Sequence, residues 1–304
     1  MSRHAYCIIA HNDPYCLQAL VNMIDDDRND IFIILDKKAN YRDFLGIKTD
    51  KGRLIAILYG EQSIDIQWGD MSLVQAELLV FKTALQHGPY EYLHLLSGQD
   101  LPLKAQDCIH KFFDSLAKGT NLVGFGQGEL NKKYLSEKTE YYYFFTGKCK
   151  YPVRYIRGIF TIYRSTIVSL QKIIGFKRRW DIKLYRGYEW VSITSGFAQF
   201  LVDIEKWILR KFRWVPCADE IYKQTLIMAS PYKDTVYDIT LNFAGKTRKI
   251  DWTRGKPYTW HDCDFEELVD SRSLFARKFS TYTDKKIIDW LQNHIINNGK
   301  TDVL

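Results

Sequence analysis

The chain has 304 residues, 46% of them hydrophobic, enough to bury a large core as one extended domain or two closely joined halves. No run approaches the roughly 18 uninterrupted apolar residues that a membrane span needs, and the first ten residues hold too short an apolar segment for a signal peptide, so a cytosolic protein is expected. The six cysteines are scattered and never form Cys-x-x-Cys, which favours free thiols in a reducing compartment over a zinc site or a disulfide framework.

In chain order, Tyr-Cys-Ile-Ile-Ala at 6–10 suits a buried parallel strand, punctuated by His11, Asn12, Asp13 and Pro14. Pro14 can open a helix in which Leu17, Leu20, Val21 and Ile24 recur at helical spacing. A second buried strand at 31–35 ends on Asp36, and strand, helix and strand within so few residues start a βαβ unit. Ligands of open α/β sheets bind beyond the carboxyl ends of the strands, which points to His11, Asn12, Asp13 and Asp36 as a nucleotide site. Residues 54–59 are apolar but of uncertain type, and 64–68 alternate. Ser72 and Gln75 make a capping box for a helix through Val74, Leu78, Phe81 and Leu85 to Gly88. A third buried strand at 92–96 ends on a polar, glycine-containing turn with one carboxylate, Asp100, again a ligand position; 121–125 read as one more strand.

The second half is less regular. Residues 141–163 are rich in Tyr and Phe, 187–194 read as a turn and strand, and 197–209 as an amphipathic helix. Pro216 to Met228 reads as the opening of another helix, with Asp219 and Glu220 in its first turn, where the helix dipole favours negative charge. Asp219 can simply cap that helix and Glu220 complement the dipole, or one of them is a functional carboxylate on a rigid element; nothing local decides. A strand pair near 237–243 and 248–252, then a final amphipathic helix over 284–296, complete the expected elements. The net charge of +7 is local: 141–180 hold nine basic side chains (Lys148, Lys150, Arg154, Arg157, Arg164, Lys172, Lys177, Arg178 and Arg179) and no Asp or Glu. Interleaved with Tyr151, Tyr155, Ile156, Ile159, Phe160, Ile162 and Tyr163, they suit peripheral contact with an anionic membrane or an acceptor-binding lobe rather than nucleic acid; a solvated face is the plain alternative.

Five stretches together resemble glycosyltransferase family 14, which joins the core-2/I-branching β-1,6-N-acetylglucosaminyltransferases to the peptide O-xylosyltransferases. They are residues 34–38, 68–73, 92–103, 187–194 and 274–279, with Pro-Cys-Ala-Asp-Glu at 216–220 between the last two. None is specific alone; their order and spacing over 5–280 carry the resemblance. It implies an α/β, GT-A-like fold with a Rossmann-like, mostly parallel central sheet flanked by helices, as a single domain over 1–304. Residues 1–125 would form the nucleotide-binding half and 126–304 the acceptor-binding and catalytic half. It also implies a UDP-sugar donor, a saccharide or lipid-linked saccharide acceptor, inversion at the anomeric carbon, and no divalent metal or other cofactor.

Residue by residue, the resemblance makes Glu220 the general base and places Arg277 and Lys278 on the diphosphate, where cations replace a metal in stabilising the leaving group. Arg254 is a further diphosphate candidate, although the family diverges there. His11, Asn12 and Asp36 would hold uridine and ribose, Asp100 lies in the turn that replaces the usual Asp-x-Asp metal motif, and Glu189 and Trp190 fall at an acceptor position. Two other Asp-x-Asp matches, Asp25/Asp27 and Asp262/Asp264, read as solvated surface. The donor is expected to be UDP-GlcNAc, with UDP-xylose the runner-up. The chain looks like a stand-alone microbial member acting in the cytosol, peripheral at most to the membrane. A non-catalytic module that binds membrane or polyanion on the same fold is the competing class.

Overall fold

Strand β1 (His4–Ala10) is the centre of the molecule. The computed structural model describes residues 2–150, 153–239 and 247–298. Successive side chains of a strand point to opposite faces, and here both faces are covered. Tyr6, Ile8 and Ala10 enter one core, and Ala5, Cys7 and Ile9 the other. This explains why the strand reads as an unbroken apolar run. The other strands are β2 (Asn29–Leu35), β3 (Arg53–Leu58), β4 (Tyr92–Ser97), β5 (Asp100–Pro102), β6 (Ser192–Thr194), β7 (Arg248–Ile250) and β8 (Phe275–Arg277). Five form the main sheet in the order β3-β2-β1-β4-β6, parallel except for β6. The other three form a small sheet, β5-β8-β7, whose register sets Asp100 opposite Arg277.

The helices are α1 (Pro14–Met23), α2 (Met71–Leu85), α3 (Gln106–Asp114), α4 (Gly128–Thr139), α5 (Arg154–Ile173), α6 (Ser195–Asp203), α7 (Glu205–Lys211), α8 (Tyr222–Met228), α9 (Phe265–Val269) and α10 (Lys285–Asn298). Apolar residues of α1, α3 and α10 fill the core on one face of the main sheet, and those of α2, α6, α7 and α8 the core on the other. The result is the expected α/β architecture, a mostly parallel sheet flanked by helices. Among the described residues no helix is long and apolar enough to cross a membrane.

Several local expectations are corrected. Residues 54–59 are essentially the edge strand β3, whereas 64–68 form no strand despite their alternation. The N-cap of α2 is Asp70, whose carboxylate accepts from Ser72 N, while Ser72 Oγ accepts from Gln67 N. Residues 121–125 make only isolated bridges, and the helix expected over 197–209 breaks at Ile204 into α6 and α7. The strand near 248–252 is β7; 240–243 lie outside the described residues. Asp264 is buried, accepting from His261 N and Arg254, so it is no solvated surface residue; Asp25 accepts from the backbone N–H groups of residues 50–52. Among the described residues four cysteines are buried free thiols and Cys263 is an exposed one.

Candidate active site

The carboxyl ends of β1, β2 and β4 open onto a cavity of about 490 Å³, beside the point where the chain order of the sheet reverses. His11 and Asn12 line it after β1, Asp36 and Lys38 after β2, and Ser97, Gly98 and Gln99 after β4. The crossing is tight: a Cβ on Gly98 would stand 2.8 Å from the Ala10 Cβ. Asp36 accepts from the Lys38 backbone and from Lys38 Nζ, both at 2.9 Å. Burial, and then the nearby Lys278 and Arg277, push the His11 pKa down against the pull of Asp36. The buried Oδ1 of Asn12 has no hydrogen-bond partner among the described residues. Asp13, by contrast, is structural. It caps α1 and accepts from both the backbone and hydroxyl of Thr281 at 2.7 Å.

Arg277 reaches the same cavity from the small sheet. Its Nη1 bonds Asp100 at 2.8 Å and the Ser97 hydroxyl, and its guanidinium lies 4.6 Å from the centre of the Trp190 ring. Asp100 also accepts from Ser97 N at 2.7 Å. Its carboxylate is thus spent on fixing the turn and the arginine; Asp100 does not line the cavity. Lys278 stands behind the wall, half-buried, its pKa lowered by burial and then by Arg277. Arg254 is placed elsewhere. It pairs with Asp251, with Asp264 at 2.7 Å and with Glu267 at 2.9 Å, away from the cavity lining. Lys256, two residues on, lines the cavity instead.

The facing wall carries three carboxyl groups: Glu189, Asp219 and Glu220. Asp219 and Glu220 belong to a single 3-10 turn, Ala218–Glu220, that precedes α8 rather than forming its first turn. Asp219 makes no cap, which removes the purely structural explanation offered for it. The turn is clamped below: Lys223 Nζ donates to Asp219 O at 3.0 Å and to the buried Glu77 carboxylate on α2 at 2.5 Å, and the Tyr222 hydroxyl binds the same Glu77 oxygen at 2.6 Å. Above it, Cys217 adopts a left-handed backbone conformation and donates N–H to Gly69 O. Burial, then the charges of Glu220 and Glu77, push the Asp219 carboxyl up to about 8. Burial, and then Asp219, push Glu189 well above the usual carboxyl range.

Glu220 is held differently. Arg186 Nε at 2.9 Å and Nη2 at 2.8 Å both bind its Oε2, and the guanidinium lies 3.8 Å from the centre of the Tyr134 ring. The Glu220 carbonyl accepts from Gly187 N, where any side chain would overlap the Gly124 carbonyl oxygen. Sequence reasoning missed Arg186, Tyr134, Lys38, Lys256 and Tyr188. Of these, Lys38 carried a signal in its place two residues after Asp36, and Tyr188 lay within the 187–194 stretch. Tyr188 and Trp252 stack at 6.5 Å on the cavity wall. No group of three or more His, Cys, Asp or Glu among the described residues is arranged to hold a metal ion.

The sequence pattern of the Core-2/I-Branching enzyme family matches residues 4–272. No curated protein matches the chain. Among solved structures, mouse xyloside xylosyltransferase 1 in its apo form aligns over 90% of this chain and 97% of its own, at 9% identity and a TM-score of 0.35.

Proposed function

Because the chain belongs to the Core-2/I-Branching enzyme family it is a glycosyltransferase, and we propose that it is an inverting, metal-independent one that moves GlcNAc from UDP-GlcNAc to a saccharide hydroxyl. The observation that carries this reading is the pairing of two anchored charges on one cavity, Glu220 tied by Arg186 and Arg277 tied by Asp100. The acceptor oxygen attacks the anomeric carbon from the side opposite UDP. Its proton passes to the Glu220 carboxylate, while the electron pair of the breaking carbon–oxygen bond leaves with the diphosphate. Arg186 occupies Oε2 and so presents Oε1 to the acceptor hydroxyl. Arg277 meets the charge developing on the diphosphate, with Lys278 behind it and Lys256 in the position first expected of Arg254. Asp36, His11 and Asn12 receive the uridine and ribose.

Glu189, whose burial favours the protonated form, can in that form both donate to and accept from acceptor hydroxyls beside the Trp190 ring. Engagement of Asp100 with Ser97 and Arg277 supports the metal-free reading, since the sheet-end carboxylate is already neutralised by a side-chain cation. The test is UDP release from a panel of UDP-sugars with saccharide acceptors, with and without EDTA. Release from UDP-GlcNAc that survives chelation is expected. Preference for UDP-xylose would change the donor only; loss on chelation restored by manganese would contradict the metal-free reading and make Asp100 the candidate metal ligand.

A further inference from the structure

Helix α5 carries an apolar stripe that no described residue covers. Tyr155, Ile159, Ile162, Tyr163, Leu170 and Ile173 are all exposed, from 48% at Ile159 to 82% at Ile173. At about 100° per residue these six positions fall within an arc of roughly 100° along a 20-residue helix. The inner edge is different: Phe160 meets Phe145 at 5.3 Å, and Gln171, the one buried residue of the helix, accepts from Tyr142 N at 2.9 Å. Beyond the helix end Ile174 and Phe176 are exposed as well.

We propose that α5 lies in the headgroup region of an anionic bilayer, stripe inward, and docks the enzyme there without spanning the membrane. Charge selects this occupant. Arg154 and Lys172 are exposed alongside the stripe, Arg157 is exposed farther round the helix, Arg179 follows it, and 141–180 contain no carboxylate. Anionic lipid attracts such cations while an apolar stripe of this width enters the acyl boundary. A second copy would bring the same cations face to face. Not every cation of the segment contributes: Arg178 lies between the Tyr142 and Trp180 rings and donates to Arg213 O, and Lys177 pairs with Glu140.

The helix also reaches a cavity that adjoins the candidate site. Its Arg164 lines, with Lys138, a smaller cavity of about 200 Å³ that shares Trp68, Gly69 and Cys217 with the main one. The docking itself does not depend on which sugar is transferred.

The test is co-sedimentation with vesicles of phosphatidylglycerol and phosphatidylcholine in equal parts, against phosphatidylcholine alone, at low and high salt. The full chain is compared with an Ile159→Ser, Ile162→Ser, Ile173→Ser variant and with an Arg154→Ser, Arg157→Ser, Lys172→Ser variant. Circular dichroism and UDP binding confirm that both are folded. Each variant is expected to bind anionic vesicles at least about tenfold more weakly than wild type, and high salt to weaken wild type alike. Failure of wild type to bind anionic vesicles, or binding unaltered in both folded variants, would overturn the proposal. So would a wild-type dimer that the stripe substitutions convert to monomer with no change in vesicle binding.

Discussion

Asp219 shows how one buried carboxyl group ties the site to stability. Its folded-state pKa, raised to about 8 chiefly by burial, lies above the ordinary aspartate value of 3.8. Between those values the folded protein holds a proton that the unfolded chain releases, so this group makes stability fall as pH rises from about 4 to 8. Asp219→Asn removes that dependence. Urea unfolding at several pH values should find the variant gaining on wild type across the window, by up to about 1.4 kcal/mol per pH unit, with no further gain above it. A constant difference across the window would show that the proton is not held. Glu220, one residue on, was legible from sequence because it sits in a recognisable run. Arg186 was not, because its role depends on a contact 34 residues away. The exchange of Arg254 for Lys256 has a similar cause: in an irregular loop no periodicity says which of two cations faces inward.

At the scale of elements, the 3-10 turn bearing Asp219 and Glu220 is held by an ion pair beneath it rather than by helix capping. Lys223 and Glu77 are both fully buried and meet at 2.5 Å. Lys223→Met should leave Glu77 buried without its cation, costing roughly 3–5 kcal/mol, whereas Lys223→Met with Glu77→Leu should recover much of that loss. Chemical denaturation of the two variants checks this; equal stability of the single variant and wild type would mean that the pair does not support the turn. The strands β1, β2 and β4 were legible as apolar runs because both of their faces are buried. Helix α5 was not, since its β-branched and aromatic residues favour strands and its apolar arc is wider than the face it buries. Its length emerges only from the backbone.

Across the whole molecule, the main sheet and the first helix layer meet around three buried histidines. His94 Nε2 lies 3.0 Å from His4 Nδ1, its Nδ1 lies 2.8 Å from the Ser192 hydroxyl, and His110 stacks on His4 at 4.0 Å and bonds Asn29. Burial first, and then neighbouring cationic or imidazole groups, lower all three, His4 to about 2, His110 to about 4 and His94 well below its ordinary value. The unfolded chain takes up protons below about pH 6.5 that the folded one refuses, so stability is full above that pH and is lost as pH falls. Each histidine contributes up to about 1.4 kcal/mol per pH unit. Thermal unfolding from pH 7 to 4 should show a steep decline that His110→Asn makes shallower; an unchanged slope would place the acid sensitivity elsewhere. The candidate site lies beyond the carboxyl ends of the same strands. The site itself is tested most directly by Glu220→Gln, with single-turnover sugar transfer measured beside UDP binding by calorimetry. UDP affinity close to wild type with transfer slower by at least about 10²-fold is expected of a lost general base; near-normal turnover would contradict the assignment.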